Sequence, residues 1–323
     1  MRNEKIYRTD RAQQIAAQAE AVFGWRKDSA PSLFLQRELQ DIEAQAYRTP
    51  FAPLDADRLI PIRNIARGAQ ESGYDRITHY GMAKWVGSNG QDIARVNATR
   101  RRFTFPVRSM ALSYVYSQDE IDAAAMAGVP LNAEYAMATR QGIDSFRNQV
   151  AMIGDASVSM TGLLNNANVP VGNATYGSWA TNAVSNPDRV IFDLNDIWID
   201  IWTLTKKVFV PDTIAIPVDL YGLISSSRVS TVSDTTILEF FLRSQKVITT
   251  VEPILECSGA GVGATNRMLC YKKDPTVLEQ AVAIAFEVLP PQFVDLEVKN
   301  IARGRTGGTN VKVPIAMSYR DGI

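Results

Sequence analysis

Histidine is nearly missing from this 323-residue chain, which has one, and cysteine is scarce, with two. A Ser-His-Asp triad or a Cys-His dyad would have to run through His79 alone. Cys257 and Cys270 form no CxxC pair, so a zinc site would need His79, both cysteines and carboxylates. Two cysteines make no disulfide framework either. No apolar run approaches the roughly 18–20 residues that cross a bilayer. The start, MRNEKIYRTDRAQQ, lacks the apolar core of a signal peptide. The expectation is a non-secreted chain with no membrane partner. Net charge is absent as well, since Lys+Arg 34 balance Asp+Glu 34, which argues against a dedicated DNA-binding module. What is present is an ordinary globular mix, 46% apolar and 21% charged, long enough for a large core.

Residues 1–62 read as an arm. Asp10 to Phe23 has a helical pattern with Ile15, Ala19, Val22 and Phe23 on one side. Pro31 to Tyr47 repeats it with Leu35, Leu39, Ile42 and Ala46. Pro50, Pro53 and Pro61 then predict extended chain. Such a segment has too few apolar residues to bury much by itself.

Residues 63–117 read as a long β-ribbon. Glycines interrupt any helix, Ser88-Asn89-Gly90 signals a turn, and Phe103-Thr104-Phe105 and Leu112 to Tyr116 have strand composition. Nine cations (Arg63, Arg67, Arg76, Lys84, Arg95, Arg100, Arg101, Arg102 and Arg108) face three acids, a net of +6, so the remainder of the chain is −6. A basic projection on an acidic body suits self-association. The surface-contact candidates are Arg76, Lys84, Arg95, Arg100, Arg101, Arg102, Phe103 and Phe105. The arginine run could also meet nucleic-acid phosphates, with the two phenylalanines stacking, but an acidic neighbour is favoured.

Ser117-Gln118-Asp119-Glu120 is a capping box that opens a short Ala-rich helix ending at Gly128. Leu131, Tyr135, Ala138, Gly142, Phe146, Val150 and Ile153 then form one stripe of a helix of about 24 residues, roughly 36 Å long. Arg140, Asp144 and Arg147 are expected on its solvent face. A polar loop is expected to about Pro187, then an α/β region. There Asp193 or Asn195 caps a helix with the stripe Ile197, Ile201, Leu204 and Val208. Thr213 to Ile216 is a buried strand, Asp219 to Ser226 a short helix, and Asp234 caps another. Val247 to Ile254 and Arg267 to Tyr271 are strands. Gly307-Gly308 is expected to turn between two last strands, Leu296 to Arg303 and Val311 to Tyr319.

No enzyme or cofactor constellation stands out. Gly259-Ala260-Gly261-Val262-Gly263-Ala264 fits a dinucleotide pattern, with Glu279 as its acid, but strand-like Arg267 to Tyr271 follows where a helix is required. Asp193, Asp196 and Asp200 read better as acids at a helix start than as a metal site. His79 reads as a surface residue of the ribbon, and the two cysteines as free thiols.

The order of parts (arm, basic ribbon, long helix, α/β region, closing strands) resembles the major capsid proteins of tailed double-stranded DNA phages. Their Hong Kong 97 type fold, of α+β class, is shared with encapsulin shells. Four stretches carry the resemblance. Tyr74 through Gly81-Met82-Ala83 to Val115-Tyr116-Ser117-Gln118-Asp119-Glu120 looks like the extended loop entering the spine helix. Gly154-Asp155 with Gly162-Leu163-Leu164-Asn165 looks like the family's helix end. Pro211-Asp212 with Ile216-Pro217 resembles its axial-domain strand. Gly307-Gly308, Val313-Pro314-Ile315-Ala316 and Tyr319-Arg320-Asp321-Gly322-Ile323 resemble the ending of one branch. The resemblance implies a shell subunit, not an enzyme, that forms hexamers and pentamers of an icosahedral head. The head would enclose double-stranded DNA and be assembled in the host cytoplasm, with portal, scaffolding or decoration proteins as further partners. It also implies a division into 1–62 arm, 63–117 extended loop, 118–189 peripheral domain, 190–285 axial domain and 286–323 return strands to the peripheral domain. Some relatives cross-link a lysine of this loop to an asparagine; Lys84 is the only lysine here, and no partner aligns with it. An encapsulin-like nanocompartment shell is the alternative, and a nucleotide-binding enzyme using the Gly259 loop the remote one.

Overall fold

Two five-stranded sheets form the body, one from strands within residues 62–117 and 278–311, the other from strands within residues 171–271 and 317–321, and helices pack against both. In the computed structural model, residues 51–85, 93–128, 131–230 and 232–323 are described. The two N-terminal helical patterns and the Ser88-Asn89-Gly90 turn lie outside them. The chain runs α1 (Ala56–Leu59), β1 (Ile62–Asn64), β2 (Glu71–Tyr80), β3 (Asn97–Pro106), β4 (Arg108–Ser117), α2 (Gln118–Ala127) and the long α3 (Leu131–Met152). Short strands β5 (Gly154–Asp155), β6 (Met160–Thr161) and β7 (Val171–Asn173) lead to α4 (Trp179–Ser185) and α5 (Pro187–Leu204). Next come β8 (Thr213–Pro217), α6 (Val218–Ser226), α7 (Ile237–Ser244), β9 (Thr250–Ile254) and β10 (Arg267–Tyr271). The chain closes with β11 (Leu278–Val288), β12 (Gln292–Val294), β13 (Glu297–Val311) and β14 (Met317–Asp321).

The first sheet has β13 at its centre, antiparallel to β4 on one side and to β11 and β12 on the other, with β1 parallel to β11. Helix α3 packs on one face of it, where Tyr135 stacks on Tyr114 with ring centroids 5.9 Å apart. The second sheet runs β7-β14-β10-β8-β9 and is covered on both faces. Alternation along β10 sends Met268 and Cys270 to a core with Trp179, Leu194, Ile197, Ile224 and Phe241, from α4 to α7. Leu269 and Tyr271 go to the other core, with Leu59, Ile60, Met152, Leu163 and Tyr319. The two cysteines are buried free thiols, one in each core.

Several expectations change. Residues 56–59 are helical rather than extended, and Ala56, Leu59 and Ile60 are buried in the core. The buried line of α3 lies beside the predicted stripe: Thr139, Ile143, Arg147 and Val150 are buried, while Tyr135 and Phe146 are partly exposed. Arg147, expected in solvent, pairs with Asp57 at 2.6 Å. Its neighbour Asn148 accepts from the Ala56 N–H at 2.9 Å and donates to Glu256 at 2.8 Å. Buried polar residues satisfied by distant partners are invisible to a count of apolar periodicity. The loop expected up to Pro187 contains β7 and α4, and α5 begins at Pro187 instead of near Asp193. Leu204 and Val208 of its predicted stripe are exposed. Thr236, not Asp234, caps α7 by accepting from the Glu239 N–H.

Gly307-Gly308 is not a turn. Both lie inside the 15-residue β13, where the register on β11 slips between Gln280 and Val282. Gly308 takes φ 66° there, the conformation of a bulge that a glycine accommodates without strain. The last strand, β14, therefore does not pair with β13 and sits within the second sheet. The capping box at Ser117 and Glu120 forms as predicted, and Gly128 closes α2 in the left-handed conformation.

Candidate subunit interface

Strands β2 and β3 pair with each other over ten positions, from Glu71 opposite Pro106 to Tyr80 opposite Asn97, and among the described residues they form a two-stranded sheet of their own. An isolated two-stranded ribbon has little to hold it in water. This one is braced internally. Asp75 faces Arg102 across the ladder and forms ion pairs with Arg102 (2.8 Å) and Arg100. Hydrogen bonds from those two guanidiniums hold the Asp75 carboxyl well below the usual carboxylate range. Tyr74 stacks on Phe103 (centroids 5.3 Å) and on Phe105 (6.0 Å). Arg76 and Arg101 each place a guanidinium 5.3 Å from the Phe103 ring.

The base of the ribbon is tied to the body. The Tyr74 hydroxyl donates to the Lys312 carbonyl at 3.1 Å, and Arg76 donates to the same oxygen. Buried Glu279 accepts Lys312 Nζ at 2.6 Å and pairs with Arg63 at 2.8 Å. Arg67 and Arg303 both pair with Glu287, whose carboxyl they hold low.

These contacts sort the predicted residues. Arg76, Arg100, Arg101, Arg102, Phe103 and Phe105 come together on the ribbon through contacts with one another, with Tyr74 and with Asp75. They stiffen the ribbon, although the arginine side chains stay largely in solvent. Lys84 and Arg95 lie apart from that cluster, exposed on the segments beyond the strands, as His79 is on β2. The sequence reading missed the feature that most needs a partner. Ile77, Tyr80, Met82, Trp85, Ile93 and Val96 are all exposed at the far end, Trp85 completely. Exposed apolar residues scattered singly are normal, whereas six large ones on one ribbon end mark a contact surface. The available signal was six large apolar residues in a glycine-broken segment that offers no core.

Elsewhere the candidate chemistry is already claimed. Asp193 lies inside α5, accepts Trp179 Nε1 at 3.0 Å and the Thr175 N–H at 3.1 Å, and is pushed up by burial. Asp196 and Asp200 both pair with Arg320. The three aspartates are thus neither a metal cluster nor first-turn acids, and no group of three potential metal ligands occurs among the described residues. The Gly259 loop leads into β10 and not into a helix, and its Val262 N–H donates to Asp321 at 3.0 Å.

A family model for "Major capsid protein" matches residues 81–323. The chain belongs to the major capsid protein family. No curated protein matches this capsid protein in sequence. Solved structures match its fold at low identity. "The capsid of Myoviridae Phage XM1" has a TM-score of 0.79 at 17% identity, covering 91% of this chain and 100% of that one. The capsid of an empty GTA particle has a TM-score of 0.63 at 13% identity, covering 92% and 99%. A virus-like particle from Pyrococcus furiosus has a TM-score of 0.51 at 13% identity, covering 82% and 91%. The α+β Hong Kong 97 type fold is therefore that of this capsid protein.

Proposed function

We propose that copies of this capsid protein assemble as hexamers and pentamers into an icosahedral phage head around double-stranded DNA, each ribbon lying on a neighbouring subunit. The carrying observation is the exposed apolar end of a ribbon that is stiffened before it meets anything. Pre-ordering lowers the entropy lost when the contact forms. Within the subunit, residues 63–117 act as the extended loop, 118–189 as the peripheral domain and 190–285 as the axial domain. Residues 286–323 divide between the two sheets. Assembly takes place in the host cytoplasm, and portal, scaffolding or decoration proteins complete the head.

The test is a pair of substitutions at exposed positions, Met82→Ser with Trp85→Ser. Surface changes of this kind shift folding stability by about 0.5 kcal/mol or less, so the melting temperature of the subunit stays put. Shells seen by negative-stain microscopy for the parent disappear in the double variant. Shells of unchanged yield would refute the role of the ribbon end. The virus-like-particle match raises a second reading, a nanocompartment. Nuclease-protected DNA inside particles recovered from infected cells supports the head; a defined protein cargo supports the compartment.

A further inference from the structure

Helix α5 ends in an unusual way. The Lys207 N–H bonds back to the Trp202 carbonyl at 2.9 Å and the Lys206 N–H to that of Thr203 at 3.2 Å. This is the Schellman pattern, whose left-handed position is usually glycine. Here Lys206 occupies it, with φ 51°, and Lys207 after it is left-handed too, with φ 66°. Strain held in place of an easy glycine points to a use for the side chains. Beside them opens a cleft of about 370 Å³ lined by Ile199, Trp202, Thr203, Lys206 and Lys207. Trp202 packs edge-on against Trp198 and lies under the Lys207 ammonium at 5.9 Å. Its buried Nε1–H finds no acceptor among the described residues. The cleft thus has apolar walls and a doubly cationic rim.

We propose that this cleft receives the protruding turn of a second copy, with Val232 against Ile199 and Trp202 and the Asp234 carboxylate between Lys206 and Lys207. The argument is complementarity. Val232 and Asp234 are 93% and 97% exposed. Arg228 and Thr236, on either side of them in sequence, form an isolated antiparallel bridge. Among the described residues Asp234 pairs only with the exposed Arg228, at 3.4 Å, and that pairing contributes little. Two clefts cannot face each other, because four lysines would meet. Knob and cleft are different surfaces of one chain, and such a heterologous contact, repeated with a rotation that closes, makes a ring. The inference rests on the shell reading and specifies one contact within its capsomers.

The test is cross-linking of a Thr203→Cys, Val232→Cys double variant under mild oxidation. It is read both in assembled particles and in concentrated unassembled protein. Native Cys257 and Cys270 are fully buried and leave the background low. The expected result is a ladder on a denaturing gel, from dimer upward to a closed ring. Shells without a ladder, or a compact cross-linked monomer, would overturn this contact and leave the shell intact. A ladder without shells would uphold the contact and count against the shell. Charge exchange gives an independent readout. Asp234→Lys alone, and Lys206→Glu with Lys207→Glu, each lower ring yield at least tenfold, and the triple variant restores it. A triple variant no better than its parents would overturn the pairing.

Discussion

At the scale of single residues, the buried ion pair near the C-terminus is the most exacting feature. Arg267 binds Asp321 through Nε at 2.6 Å and a second nitrogen at 2.8 Å, and also donates to the Leu164 carbonyl. Burial would raise the Asp321 carboxyl; the Arg267 guanidinium and the Val262 N–H outweigh it and hold the group below its usual value. A folded-state value below the unfolded one means stabilisation that is complete above the unfolded value, about 3.9, and lost as pH falls through the folded one. Asp321→Asn leaves Arg267 buried without its counter-charge, a loss of about 3–5 kcal/mol. Urea denaturation at pH 7 shows that gap, and it narrows below about pH 4, where Asp321 of the parent's unfolded chain takes up a proton that the folded chain still refuses. A second site is steric. A Cβ at Gly162 would lie 2.4 Å from the Ile153 carbonyl carbon and 2.5 Å from Gly154 N, both backbone atoms that cannot swing aside. Gly162→Ala is expected to cost about 3 kcal/mol or more, visible as a lower melting temperature of the unassembled subunit.

At the scale of elements, what could be read from the sequence was what local chemistry decides. Ser117 and Glu120 needed only each other, and the cap formed. Thr213 to Ile216 read as a buried strand because the apolar run Ile214-Ala215-Ile216 has no solvent face, and every residue of β8 is buried. The errors fall where a partner far along the chain decides. Arg147 and Asn148 are buried because Asp57 and the Ala56 N–H lie some ninety residues away in sequence. Gly307-Gly308 carries a turn signal, yet pairing with β11 and the close passage of Ala281 and Val107 make it a bulge within a long strand. The interface was half legible for the same reason. Its arginines announced a basic ribbon, but cross-strand contacts of Arg100 and Arg102 with Asp75, and of Arg76 with Phe103, turn several of them into bracing. The apolar end was overlooked because apolar residues in a strand pattern are ordinarily assumed to find a core.

At the scale of the whole molecule, zero net charge conceals a division, with +6 on residues 63–117 and −6 elsewhere. An isolated subunit gains little from it. Of the ribbon's three acids, Asp75 is already paired, and Arg67 reaches Glu287 only at the base. Between copies the division acts at long range, since an approaching ribbon meets a body of opposite sign. Electrostatic steering of this kind raises association rates and falls with ionic strength, the screening length shrinking from about 10 Å at 0.1 M to 3 Å at 1 M salt. Apolar contact at the ribbon end does not weaken in this way and is strengthened by salting-out anions. The two contributions therefore separate by salt. Light scattering of purified subunits should show assembly slowing at least tenfold between 0.1 M and 1 M sodium chloride. Shells already formed should persist at the higher concentration, because their buried apolar residues hold them. Met82→Ser with Trp85→Ser should invert the behaviour: the early encounter keeps its salt dependence, and closed shells no longer accumulate. Assembly rates indifferent to salt would mean that the charge division lies along surfaces that never meet, and that the ribbon finds its neighbour by its apolar end alone.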